Sequence, residues 1–257
     1  MTNIVSMQKC ISLVLLSVFL YPSQLSAKIL DVSPVAQQRP ELCWAASAEM
    51  ILSYYGVPNI NPVGNYQCAV VAAQGSPCDI NCGIPICLAG GGTAQRIAAV
   101  LRQYVSWASQ ISRSSIWLKI HNRGILSPRE ISSSIDKGSP ILAGISPQMP
   151  FPPGLGFSQH AVVIIGYENT TRGFELVFND PSPYITLPPY LAVGGRALQV
   201  GQFQLSYGTF IQVFNYGNSI TFTPRPRRSA AAQRTHSTQG VRTLPSPSTS
   251  GMPRSPL

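Results

Sequence analysis

From Cys43 onward the chain reads Cys-Trp-Ala-Ala-Ser-Ala-Glu-Met-Ile-Leu, and this run constrains the fold more than any other stretch. Ala46, Met50, Ile51 and Tyr54 fall on one face at helical spacing, Pro40 disfavours helix just upstream, and Gly56 with Pro58 ends the run. A helix is therefore expected to begin near Cys43. A thiol in that place is set to ionise, because unpaired N–H groups and the positive end of the helix dipole both favour the thiolate. Gln37, six residues upstream, carries an amide able to donate to an oxyanion.

The compartment decides what the other cysteines can be. Residues 1–27 read as a secretion signal peptide: Lys9 supplies a positive n-region, Cys10 to Tyr21 an apolar stretch, and Leu25-Ser26-Ala27 a small-residue cleavage site that leaves Lys28 as the mature terminus. That stretch is shorter than the roughly 20 residues of a spanning helix, and no later one reaches that length without charge. The chain is thus expected to be exported, secreted or periplasmic, with no transmembrane anchor. Cys10 leaves with the signal, which sets Cys43 apart from the cluster Cys68, Cys78, Cys82 and Cys87. In an oxidising compartment an even cluster reads as disulfides, with Cys43 left as the free thiol. A structural zinc site is disfavoured because the two short gaps share Cys82 and make one knuckle, not two. Three pairings remain open, and no metal or cofactor is expected.

Six arginines and no acidic residue lie in 223–257, which accounts for six of the nine net positive charges. With Pro, Ser, Thr and Ala between them, this segment has too few large apolar residues for a core and reads as a disordered basic tail. The remaining domain, residues 28–222, is close to neutral, so specific nucleic-acid binding is not expected.

Along that domain, Ile29 to Val35 reads as an extended lead-in, and loops and turns carry the cysteine cluster to Gly90-Gly91-Gly92. A second helix is predicted from Ala94 to about Tyr104 behind Thr93, and a third from Arg129 to Lys137, opened by the capping box Ser127…Glu130. Strands follow at 140–145, 160–167 and 174–178, with 200–207 and 209–214 expected as the closing pair. Helices first and antiparallel strands second give an α+β fold, a helical half packed on a sheet half.

A cysteine nucleophile needs a base, and the base needs an orienting partner. His236 lies in the tail and His121 beside the polar turn Asn122-Arg123-Gly124, where it reads as a surface residue. His160 opens the apolar run Ala161 to Tyr167, a rigid mount at the mouth of a buried strand. The next strand ends at Asn179-Asp180-Pro181, and antiparallel pairing returns that end to His160. Period-two alternation lets only one of Asn179 and Asp180 face the imidazole. Asp180 is favoured by its charge, which also stabilises an imidazolium.

Gln37, Cys43-Trp44, the strand His160-Ala-Val-Val-Ile-Ile-Gly-Tyr167 and Asp180-Pro181 together resemble the papain-like cysteine peptidases. More narrowly they resemble the short bacterial members, the type III effector proteases of plant pathogens and the bacteriocin-processing peptidases. The resemblance implies a Cys43-His160-Asp180 triad with Gln37 in the oxyanion hole, acting on protein or peptide substrates, host proteins among them. The Cys-Gly-Ser-Cys-Trp context of the plant and lysosomal enzymes is absent, as is a long prodomain ahead of Gln37. The family's Asn-Ser-Trp motif is also missing, so Pro181 or Tyr184 would have to cover the bond between histidine and its acid. Other reactions for the same site are deamidation, acyl transfer or amide hydrolysis, and a catalytically silent module that binds a partner is the non-enzymatic alternative.

Overall fold

The computed structural model describes residues 26–88, 92–112, 118–147, 159–182 and 188–224. The expected signal segment up to residue 25, the tail from Arg225 with His236, residues 148–158 and Tyr184 lie outside the described residues. In chain order the elements are β1 (Ala27–Ile29), α1 (Cys43–Tyr54), α2 (Tyr66–Ala72), α3 (Pro85–Leu88), α4 (Ala94–Ser112), β2 (Leu118–Arg123) and α5 (Pro128–Asp136). They continue with β3 (Ile141–Ile145), β4 (His160–Thr170), β5 (Gly173–Asn179), β6 (Arg196–Gln199), β7 (Gln202–Ser206), α6 (Tyr207–Gln212) and β8 (Asn218–Pro224).

The strands form an antiparallel sheet in the order β2-β8-β3-β4-β5-β7-β6, and β1 pairs with β4 beyond the point where β3 stops. The architecture is α+β, with the early helices packed on the sheet. β4 is its centre. Every residue from His160 to Tyr167 is buried, which is why this strand reads as a continuous apolar run without alternation. Helix α1 packs on β4, and α5 packs on β4 and β1. Gly166 is what admits β1, since a Cβ there would lie 2.7 Å from the Lys28 carbonyl oxygen.

Helix α1 starts at Cys43, and the predicted capping box is formed: Ser127 Oγ accepts from the Glu130 N–H while the Glu130 carboxylate accepts from the Ser127 N–H. The fold departs from expectation elsewhere. In place of the predicted strand 209–214, residues 207–212 form the helix α6, because Ser206 caps it by accepting from the Thr209 N–H, and Phe210 and Phe214 just past its end both turn into the core. The second helix runs on past Tyr104 because Val105 and Ala108 continue its buried face. Of the cysteine cluster, Cys68 lies on α2 and Cys87 on α3, with Cys78 and Cys82 in the turns between these two short helices, and Asn65 caps α2 by accepting from the Cys68 N–H. β8 extends to Pro224, just beyond the expected start of the tail at 223, and pairs with β2, which carries His121 at a half-buried position. Among the described residues no helix is long and apolar enough to cross a membrane.

Candidate active site

Cys43 is the first residue of α1, and the residue before it, Leu42, offers the helix no side-chain cap. The positive end of the helix is therefore presented to the thiol. The helix is sheathed almost completely: Trp44, Ala45, Ala46, Ser47 and Ala48 are all buried, as expected for a helix without a polar face. The small residues let it approach the sheet closely, and Ser47 Oγ donates to the Ala161 carbonyl at 3.0 Å. Residue 161 follows His160, so this one hydrogen bond ties the helix that begins at Cys43 to the histidine strand.

The cysteines pair as Cys68–Cys82 and Cys78–Cys87, leaving Cys43 free and buried. Among the described residues no cluster of histidine, cysteine and carboxylate side chains could hold a metal ion.

His160 opposes Ile145 at the end of the β3–β4 ladder. Its Nε2 lies 2.7 Å from Asp180 Oδ1, and both side chains are almost wholly buried. That leaves Nδ1 for the Cys43 thiol. Burial pushes the imidazole pKa down, but the charge and hydrogen bond of Asp180, and then those of Cys43, outweigh it and raise it to about 10. Asp180 moves the other way. Burial raises it, yet His160, the Tyr190 hydroxyl and the Ser182 N–H together hold it below the ordinary carboxylate range.

Asn179 and Asp180 are sorted by the faces of the sheet. Asn179, opposite Val163, donates to the Val32 carbonyl at 2.6 Å and accepts from Gln202 Nε2 at 3.0 Å. It fastens the N-terminal segment. Asp180 continues the ladder through its N–H to the Gly201 carbonyl and turns its side chain to His160.

Gln37 sits behind the site. It is buried, its Nε2 donates to the Arg39 and Pro40 carbonyls at 3.1 and 2.9 Å, and its backbone N–H donates to the Pro181 carbonyl. The amide thus braces the turn into Cys43 from the side of Asp180, and Gln37 is not among the described residues that line the cleft.

That cleft encloses about 940 Å³, with Cys43 and His160 side by side in its lining. Leu88, Ile97 and Leu142 give it an apolar wall, and Asn122, Asn215 and Asn218 a polar one. Asn215 holds a φ of 46°, a left-handed backbone that asparagine tolerates better than most residues.

Two residues absent from the sequence reading support these groups. Gln67, on α2 and 1% exposed, accepts from the Gln38 N–H and donates to the Ala36 carbonyl and to Glu49 of α1, gripping the chain on both sides of Gln37. Tyr190 donates its hydroxyl to Asp180 Oδ2 at 2.5 Å. Neither carries a local signal. Gln67 is marked only by being a polar residue inside an otherwise buried helix, and Tyr190 only by following Pro188-Pro189.

The Peptidase_C39-like family matches residues 29–189 of this chain. No curated protein matches it. Among solved structures the chain is similar to a double glycine motif protease from an AMS/PCAT transporter, solved in complex with the leader peptide. The identity is 18%, over 77% of this chain and 95% of that one, with a TM-score of 0.41. It is also similar to a protein from Bacillus anthracis described as a C39-like peptidase, at 16% identity over 79% of this chain and 100% of that one, with a TM-score of 0.47.

Proposed function

Since the chain belongs to the Peptidase_C39-like family and is a papain-like cysteine peptidase, we propose that it is an exported endopeptidase working through Cys43, His160 and Asp180. The observation that carries this reading is the buried 2.7 Å contact of His160 with Asp180 beside a cleft lined by His160 and the free Cys43. Export is supported by the two disulfides, which persist in oxidising compartments, and by the signal-like first 27 residues.

In this mechanism the Cys43 sulfur, as thiolate beside a protonated His160, attacks the carbonyl carbon of the scissile bond. The carbonyl π pair moves onto oxygen, and the Cys43 N–H at the open helix terminus donates to that oxyanion. Gln37 supplies the second donor by exchanging one of its loop carbonyls, Arg39 or Pro40, for the oxyanion. The tetrahedral carbon expels the amine, which takes the His160 proton as it leaves. Water, deprotonated by the now neutral imidazole, attacks the thioester, and its collapse returns the thiolate and the imidazolium. Asp180 stays ionised throughout and holds the imidazole tautomer.

Cleavage of denatured casein, followed by mass analysis of the products, tests the reading. Cys43→Ala is expected to lower turnover by about 10⁶-fold, while Gln37→Ala loses about 10²–10³-fold and leaves measurable activity. Products altered by deamidation without chain scission, or full turnover by Cys43→Ala, would refute peptide hydrolysis by this thiol.

A further inference from the structure

Asp180 is a carboxylate buried in the protein interior, and such a charge persists only when its oxygens are paired. Oδ1 receives His160 Nε2 and the Ser182 N–H, each at 2.7 Å. Oδ2 receives the Tyr190 hydroxyl at 2.5 Å. Donors on both oxygens fix the plane of the carboxylate, and that plane decides how Oδ1 meets the imidazole.

Tyr190 is itself immobile. It is 1% exposed, and its ring packs on Phe178, Phe203 and Phe214 at centroid distances of 4.8, 4.9 and 4.7 Å. Its carbonyl accepts from the Gly195 N–H, and a Cβ at residue 195 would lie 2.7 Å from that oxygen, so the chain folds tightly around this residue. An aromatic cluster of this kind positions a hydroxyl within a fraction of an ångström, because a packed ring has few rotamers to visit. Among the described residues, the ionisable groups that meet here are Cys43 from α1, His160 from β4, Asp180 after β5 and Tyr190 itself, while the adjoining Asn179 and Gln202 carry no charge.

We propose that Tyr190 is a positioning residue that locks the carboxylate of Asp180, so that His160 is held with Nε2 on the acid and Nδ1 toward Cys43. The proposal rests on the Cys43-His160-Asp180 reading.

The test is the pH dependence of Cys43 alkylation by iodoacetamide, which needs no knowledge of the natural substrate. Tyr190→Phe keeps the ring against its three phenylalanine neighbours, so the thermal melt should move little and the variant should fold. Without the phenol the carboxylate is free to turn out of line with the imidazole, so it stabilises the imidazolium less and the thiolate–imidazolium pair forms at higher pH. The acid limb of the alkylation profile is expected to move upward, with the rate at mildly acidic pH falling about tenfold, the scale of one hydrogen bond to a charged group. In the Asp180→Ala background the same substitution should add no further shift, since it acts through Asp180. An unmoved acid limb in Tyr190→Phe, or a shift that persists without Asp180, overturns the proposal. A profile unmoved by Asp180→Ala alone overturns the triad reading, and the two failures are thereby told apart.

Discussion

Cys43 and His160 reach one cleft from scaffolds of opposite kinds. The thiol stands on a helix terminus, and what surrounds it is close in sequence: the turn 39–42, braced by Gln37, and the buried face of α1. The imidazole stands on a strand, and everything that orients it comes from far along the chain. Asp180 arrives by the β4–β5 hairpin, Tyr190 after a further loop, and the aromatic rings behind Tyr190 from β5, β7 and the end of α6. On the proposed triad, reactivity at the thiol is thus a property of a local helix end, whereas the base depends on long-range register. Among the described residues, the halves are joined near the site by Ser47 to Ala161, by the Gln37 N–H to the Pro181 carbonyl and by Asn179 to the Val32 carbonyl.

The sharpest way to break this contrast is on the strand side. Asp180→Ala should cost about 10³–10⁴-fold in kcat, since an unoriented imidazole presents the wrong tautomer. Asn179→Ala, one residue away, should spare kcat and instead lower stability by about 1–3 kcal/mol, because the buried Val32 carbonyl loses its donor. Casein turnover and urea unfolding measured on both variants would reverse the assignment if the effects exchange places. On the helix side the expected effect is smaller. Gln67→Met keeps the volume but releases Ala36 and Gln38, and should lower kcat/KM by about tenfold through a displaced oxyanion loop. Alkylation of Cys43 by iodoacetamide should be unchanged in that variant, and a loss there would mean that Gln67 serves the helix instead of the loop.

The smallest effect is on stability against pH. His160 is raised to about 10 in the folded chain, so its contribution is complete below its ordinary value of about 6.5 and is lost as pH rises through about 10. Asp180 is held low, so its contribution is complete above its ordinary value of about 3.9 and is lost on acidification. The melting-temperature gap between the native chain and Asp180→Ala should therefore be widest between about pH 4 and 6.5 and close toward alkaline pH. A gap that widens above neutrality would contradict the ion pair.

The same contrast explains how much could be read beforehand. The α1 start, the Ser127 capping box and the histidine strand were legible because each is written within a dozen residues: a proline, a cap, an apolar run. Period two also left room for only one of Asn179 and Asp180 to face the imidazole, and charge favoured the aspartate. The strand expected at 209–214 failed because Thr, Phe, Ile and Val suit a pleated surface as well as a buried helix, and the deciding Ser206 cap precedes the run. Tyr190 and Gln67 escaped for a different reason. Their roles are defined by what tertiary packing brings to them, and no spacing in the chain encodes a tyrosine ten residues past an aspartate.

The joint from the Gln37 N–H to the Pro181 carbonyl has a temporal meaning. It closes only when the end of β5 has been laid against the stretch ahead of α1, two segments some 140 residues apart. Until then Cys43 has a helix beneath it and no His160–Asp180 pair in front of it. Long-range pairing of this kind forms late in folding, so on the proposed mechanism the unfinished chain carries a dormant thiol, and hydrolytic power is switched on by the completion of the sheet itself.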